Sequence, residues 1–200
     1  VVVTSVSPEV VRLFGVALER SGPGVVVDSF GVGSLNTKTM AKNDPTIVGQ
    51  MLRARGYDLL IHLTGANDVF TMDAVPAALA KILAVHREAL PSASVLLATP
   101  AARGLAKPFP RTELVAEQRR ELAALHDVAL WDQFQAMGGR DAMPRFVEEG
   151  LAHTDAIHFT ERGGELMGGR LASALLSGYA EHLGRARAAV CPGAGDPRPD

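Results

Sequence analysis

Cysteine is almost absent. The 200 residues hold one, Cys191, which leaves no partner for an internal disulfide and no cysteine-based metal site. An excess of one charge is lacking too. Twenty Lys and Arg stand against 22 Asp and Glu, a formal net charge of −2, and no long basic run occurs. That balance argues against nucleic acid and against an anionic membrane surface as partners. No apolar run approaches the roughly 20 residues that span a bilayer. An initiating Met is missing as well: the chain opens VVVTSVSP, and its first residue reads as a cut or processed end. The closing CPGAGDPRPD has little to bury, so residues 189–200 are expected to form a disordered tail.

What is present is apolar material: 47% of the residues are hydrophobic, enough for a sizeable core. From residue 25 short β-branched runs alternate with longer helical patterns. VVVDSF (25–30) reads as a buried strand ending at glycines. PTIVGQMLRAR (45–55) reads as a helix capped by Asp44 with Pro45 in its first turn. YDLLIHLTG (57–65), SVLLATP (94–100) and DVALWD (127–132) read as further strands. Helices are expected over 75–90, over 112–126 with Thr112 as cap, and over 163–183. The first 24 residues are ambiguous: VVRLFGVALERSG suits either a helix after Ser7-Pro8-Glu9 or a pair of strands.

Strands alternating with helices at this spacing predict a three-layer α/β/α domain on a parallel sheet of about four or five strands. Such sheets bind ligands at the carboxyl ends of their strands. Chemistry is therefore expected just after residues 30, 63, 99 and 132, and in the loop before the last helix.

Three stretches fall there. DSFGVGSLN brings Gly31, Gly33 and Ser34; GAND brings Gly65, Asn67 and Asp68; TDAIHFTERGG brings Asp155 and His158. On residue type alone Asp155-x-x-His158 admits three readings. It is the end of a catalytic triad, a corner of a metal site with His153, or an ordinary helix-entry loop. Gly-x-Asn-Asp is also good turn chemistry, and Asp68 reads as a structural group bonding loop amides. His62, inside an apolar strand, reads as a satisfied core residue, whereas His86, His126 and His182 read as lying on polar helix faces without a role.

GAND at 65–68 and DAIH at 155–158, with SFGVGS before them, resemble the motif blocks of the SGNH (GDSL-type) hydrolase superfamily, over roughly residues 25–185. DSFGVGSLN, WDQFQAMGGRDAM and GLAHTDAIHFTERGG resemble more narrowly a bacterial branch acting on acylated cell-wall or exported polysaccharide. The resemblance implies a flavodoxin-like α/β sandwich and serine-dependent esterase or acyltransferase chemistry without metal or organic cofactor. It implies His158 as general base, Asp155 as its orienter, and Gly33 and Asn67 as oxyanion donors. It also implies an acylated carbohydrate or other small ester as substrate, and a periplasmic or secreted location.

That branch carries a β-sandwich module inserted after its nucleophile block. Residues 1–24 are then the remnant of that module, or else the first strand and helix of the fold, and residues 25–188 are the hydrolase-like domain. No Gly-Asp-Ser occurs in this chain. The nucleophile is expected upstream of Val1, with Ser5 as the candidate inside the chain and Ser29 a decoy within the second block. The rival readings are a binding module that has lost its serine, and a metal-dependent hydrolase built on His153, Asp155 and His158.

Overall fold

The structure is a computed structural model that describes residues 21–104 and 109–190, with positions 2, 4, 6, 9, 10 and 17–19 before them. Ser5 and residues 191–200 lie outside the described residues, as does most of the ambiguous stretch 8–20. The chain divides into two compact units, Val1–Gly33 and Ser34–Asp200.

The first unit corrects one expectation. No strand forms over 25–30, and its apolar side chains face outward: Val25 is 90% exposed and Val27 83%. A β-branched run records a preference for a pleated, half-buried surface, but a strand exists only where a ladder pairs it.

The second unit is an α/β domain. Its elements run α1 (Thr37–Met40), α2 (Pro45–Arg55), β1 (Leu59–His62), α3 (Val75–Ala89), β2 (Ser94–Ala98), α4 (Pro110–Leu125), β3 (Ala129–Trp131), α5 (Gln133–Met137), α6 (Ala142–Glu148) and α7 (Glu161–Val190). Two 3₁₀ turns, Asp68–Phe70 and Met72–Ala74, stand between β1 and α3. The sheet is parallel, in the order β1-β2-β3, with Ile61 opposite Leu96 and Leu97 opposite Leu130. Among the described residues it has three strands where four or five were expected, and the 25–30 run adds none.

Alternation along β2 explains the layers. Leu96 and Ala98 enter one apolar cluster with Phe134, Met143, Phe146 and Met167 of α5, α6 and α7. Leu97 enters the other, with Val75, Leu79 and Leu83 of α3 and Leu122 of α4. Period two along the strand thus buries both faces of the sheet's central strand, which is why Val95 to Ala98 is continuously apolar rather than alternating. Burial of each such side chain contributes about 1.5–3 kcal/mol.

Local chemistry sets most boundaries. Asp44 accepts from the N–H groups of Thr46 and Ile47, Pro45 occupies the first position of α2, and Gly56 closes it in the left-handed conformation. Helix α4 starts two residues before Thr112, behind Phe109 and with Pro110 in its first turn, so Thr112 is a buried helical residue and not the cap. Helix α7 begins before its two glycines and runs seven residues past the expected end. His86 corrects the polar-face reading: it is 5% exposed and stacks on His62, ring centroids 5.0 Å apart. Among the described residues no helix is long and apolar enough to cross a membrane.

Candidate active site

Two loops at the carboxyl ends of β1 and β2 and the loop before α7 meet in the second unit. The first follows β1. Gly65 has φ +134°, and a Cβ there would meet the Pro100 ring at 3.3 Å, so the chain turns tightly against the loop after β2. Asn67 follows with φ −96° and ψ −4°, a sparsely occupied region in which active-site residues recur. Its side-chain amide donates one N–H to the Leu35 carbonyl at 3.2 Å. A carboxamide carries two N–H donors, so one remains for a ligand.

The next residue anchors this turn from beneath. Asp68 is fully buried and accepts from the Thr37 N–H (2.7 Å), the Thr37 hydroxyl (2.7 Å) and the Arg119 guanidinium (2.6 Å). Arg119, also fully buried, donates to the hydroxyls of Thr37 and Thr64 as well. It belongs to one face of α4 that clamps the whole segment. Arg111 donates to the Val69 carbonyl and Gln118 to the Met72 carbonyl, with the buried Val115 between them. Positions 111, 115, 118 and 119 are spaced as one side of a helix requires.

The third loop carries the Asp/His pair. Asp155 Oδ1 accepts from the N–H groups of Ile157 (2.9 Å) and His158 (3.0 Å), which closes a local turn, while Asp155 Oδ2 faces His158 Nδ1 at 2.7 Å. Ala156 adopts φ +55° at the tip, a conformation the surrounding bonds must enforce on a residue with a Cβ. Below the tip the two arms are tied by His153 N–H to the His158 carbonyl, an isolated bridge between Ala152 and Phe159, and Thr160 N–H to the Leu151 carbonyl. Thr160 then leads into α7: its hydroxyl donates to the Gly150 carbonyl and accepts from the Gly163 N–H. Gly163 is required for space, since a Cβ there would lie 1.8 Å from the Leu151 carbonyl oxygen.

Burial and charge differ sharply between these groups. The side chains of Asp155 and His158 are 46% and 73% exposed. The His158 ring, followed by the two backbone N–H groups, holds the Asp155 carboxyl well below the usual carboxylate range. An ionised Asp155 on Nδ1 leaves Nε2 as the nitrogen available to a reacting group.

The loop after β2 joins the other two. Arg103 donates to the Ala66 carbonyl at 2.6 Å and lies over the Phe109 ring, while the Gly104 N–H donates to the Ala156 carbonyl at 3.1 Å. Two adjacent residues therefore hold the Asn67 turn and the Asp155–His158 turn in one network. Behind β3 the end residue serves the fold instead: Asp132 accepts from Thr99, Arg120 and the Gln135 N–H.

The expected site residues fare differently. Asn67, Asp155 and His158 belong to this network; Gly33 closes the first unit, and Ser5 lies outside the described residues. Among the described residues no three His, Cys, Asp or Glu side chains converge as a metal site would need, so His153 does not complete a ligand set with Asp155 and His158. Arg103, Gly104 and Arg119 had no motif to announce them. The helical spacing of Arg111, Gln118 and Arg119 was the one available signal.

Comparison with known proteins bears on the same stretches. The family model of the GDSL-like lipase/acylhydrolase family matches residues 5–166. Similar solved structures include a peptidoglycan O-acetylesterase, 24% identical over 76% of this chain and 45% of that one, TM-score 0.64. The chain thus spans under half the length of that relative. Others are the lipase/acylhydrolase from Enterococcus faecalis (20% identity, 71% of each chain, TM-score 0.53) and a carbohydrate acetylesterase from Sinorhizobium meliloti (15%, 74% of this chain and 76% of that one, 0.52). No curated protein sequence matches the chain.

Proposed function

Because the chain belongs to the GDSL-like lipase/acylhydrolase family, we propose that it is a serine-dependent carboxyl-ester hydrolase or acyl transferase, acting on small acyl groups, acetyl above all, carried by a carbohydrate. The observation that carries this reading is the 2.7 Å contact of His158 Nδ1 with Asp155, on a turn bonded through Gly104 to the segment that holds Asn67.

In this reading His158 Nε2 takes the proton of the serine hydroxyl as the oxygen attacks the ester carbonyl, and returns it to the departing alcohol oxygen. Asp155 fixes the ring's tautomer and stabilises the imidazolium that forms. The second N–H of the Asn67 amide and the backbone N–H of Gly33 receive the oxyanion, the role of Gly33 resting on the motif resemblance. Loss of one such donor costs about 3–4 kcal/mol in the transition state. Water, or an acceptor hydroxyl, then releases the acyl group by the same steps in reverse. Similarity to a peptidoglycan O-acetylesterase and a carbohydrate acetylesterase supports the choice of substrate class, and a periplasmic or secreted setting suits it.

The sequence alone places the nucleophile upstream of Val1; that the family match begins at Ser5 supports Ser5 instead as the nucleophile candidate. Labelling with a fluorophosphonate serine probe, read by peptide mapping, tests the assignment. A single adduct on Ser5 that vanishes in His158→Ala is the expected result. An adduct on another serine moves the role there, and no adduct at all overturns serine chemistry for this chain.

A further inference from the structure

A cleft of about 420 Å³ opens immediately after the Asn67 turn, walled by the two 3₁₀ turns and lined by Lys38, Phe70, Asp73, Arg111 and Leu114 among others. Its walls are fixed in advance. Arg111 holds the Val69 carbonyl, Gln118 the Met72 carbonyl, and Arg119 the Asp68 carboxylate, so the segment 68–74 is pinned from α4 at three points. The lining combines two features that have no use within the fold. Phe70 is 69% exposed although it sits on this pinned segment, and Leu114 beside it is half exposed. Lys38 and Arg111 bring two positive charges against one negative charge from Asp73, and neither cation forms an ion pair among the described residues. Arg111 spends one nitrogen on Val69, which leaves the rest of its five N–H donors unspent there.

We propose that this cleft is the saccharide subsite of the enzyme and that it selects sugars carrying a carboxylate. The exposed ring of Phe70 offers a flat apolar face to the C–H side of a pyranose, while Lys38 and Arg111 take the carboxylate, Arg111 through its planar fork. A purely apolar acyl chain would leave both cations beside hydrocarbon, and a neutral sugar would use neither. The lining of the cleft begins at Val69, two residues past Asn67, so a sugar held there is to present its ester to the Asn67 turn. This last step rests on the esterase reading above.

Titration calorimetry of the full chain with a tetrasaccharide of glucuronic acid and with neutral cellotetraose tests the subsite without requiring turnover. Exposed ion pairs are individually weak, so the two cations together are expected to favour the acidic ligand by about tenfold in Kd at low salt, and by less as salt screens them. Lys38→Met is expected to remove about three- to fivefold of that preference, and Phe70→Ala to weaken both ligands alike. Equal binding of the two sugars, or binding of neither, overturns the proposal. Hydrolysis of p-nitrophenyl acetate, assayed in parallel, reads the esterase assignment separately. Selective binding without turnover refutes that assignment and leaves the subsite standing, and turnover without selective binding does the reverse.

Discussion

Two acid–base pairs serve two loops of this protein, and they are built in opposite ways. Asp68 and Arg119 are both wholly buried, joined at 2.6 Å and surrounded by threonine hydroxyls. Asp155 and His158 are equally close, at 2.7 Å, yet both are largely open to solvent. The buried pair holds a loop in place, and breaking it strands a charge in the interior. The open pair contributes little to the fold, because exposed ion pairs are worth about 0–1 kcal/mol; its geometry is spent on orienting an imidazole. On the proposed reading, burial separates support from chemistry where closeness of charges does not.

Substitutions should therefore separate the two sites by what they damage. The largest expected effect is on turnover: Asp155→Ala should lower kcat for a small ester by about 10⁴-fold, the scale on which a triad carboxylate acts. Its stability in urea should fall by only about 0.5–2 kcal/mol, the cost of losing the local cap that Asp155 Oδ1 supplies. Asp68→Ala should do the converse, costing about 3–5 kcal/mol of stability by leaving Arg119 unpaired, as urea unfolding would measure. A midpoint unchanged by Asp68→Ala would erase the contrast.

Gly163→Ala probes the scaffold between them. Its Cβ collides with the Leu151 carbonyl, which accepts the Thr160 N–H at the base of the Asp155–His158 turn. We expect a loss of about 1–3 kcal/mol from overpacking, with a fall in activity because the turn must shift.

At neutral pH the smallest effect is electrostatic and sits away from both pairs. Burial above all, then His86 and Arg119, hold the His62 imidazole down to about 3, and burial lowers His86 too. The His62 ring is therefore neutral in the folded protein down to about pH 3, whereas in the unfolded chain it protonates near 6.5, and His86 is shifted in the same direction. Between these values the unfolded state binds more protons, so stability rises with pH and is lost as pH falls below about 6.5, at about 1.4 kcal/mol per pH unit for each fully differing ring. His62→Leu should flatten the slope of urea stability between pH 6 and 4.

The parallel α/β scaffold was legible because short apolar strand runs alternate with longer helical patterns that have clear stops, such as Asp44-Pro45 before α2 and Gly56 after it. Asp155-x-x-His158 was legible because its contacts form within three residues, and Gly-x-Asn-Asp because those residue types favour a turn by themselves, although their partners lie far along the chain. What the sequence hid is long-range. Arg103 finds Ala66 across 37 positions and Arg119 finds Asp68 across 51, and no local pattern marks either. The 25–30 run misled for the same reason, since a strand depends on a partner that lies elsewhere in the chain. The short helices α1, α5 and α6 escaped because four to seven residues carry too few apolar repeats to show a period.

The most direct test of the central claim is turnover of p-nitrophenyl acetate by wild type and His158→Ala, with the urea midpoint taken on the same samples. The account predicts a loss of about 10³-fold or more with an unchanged midpoint. Equal rates in the two proteins, or a loss matched by unfolding, would contradict it.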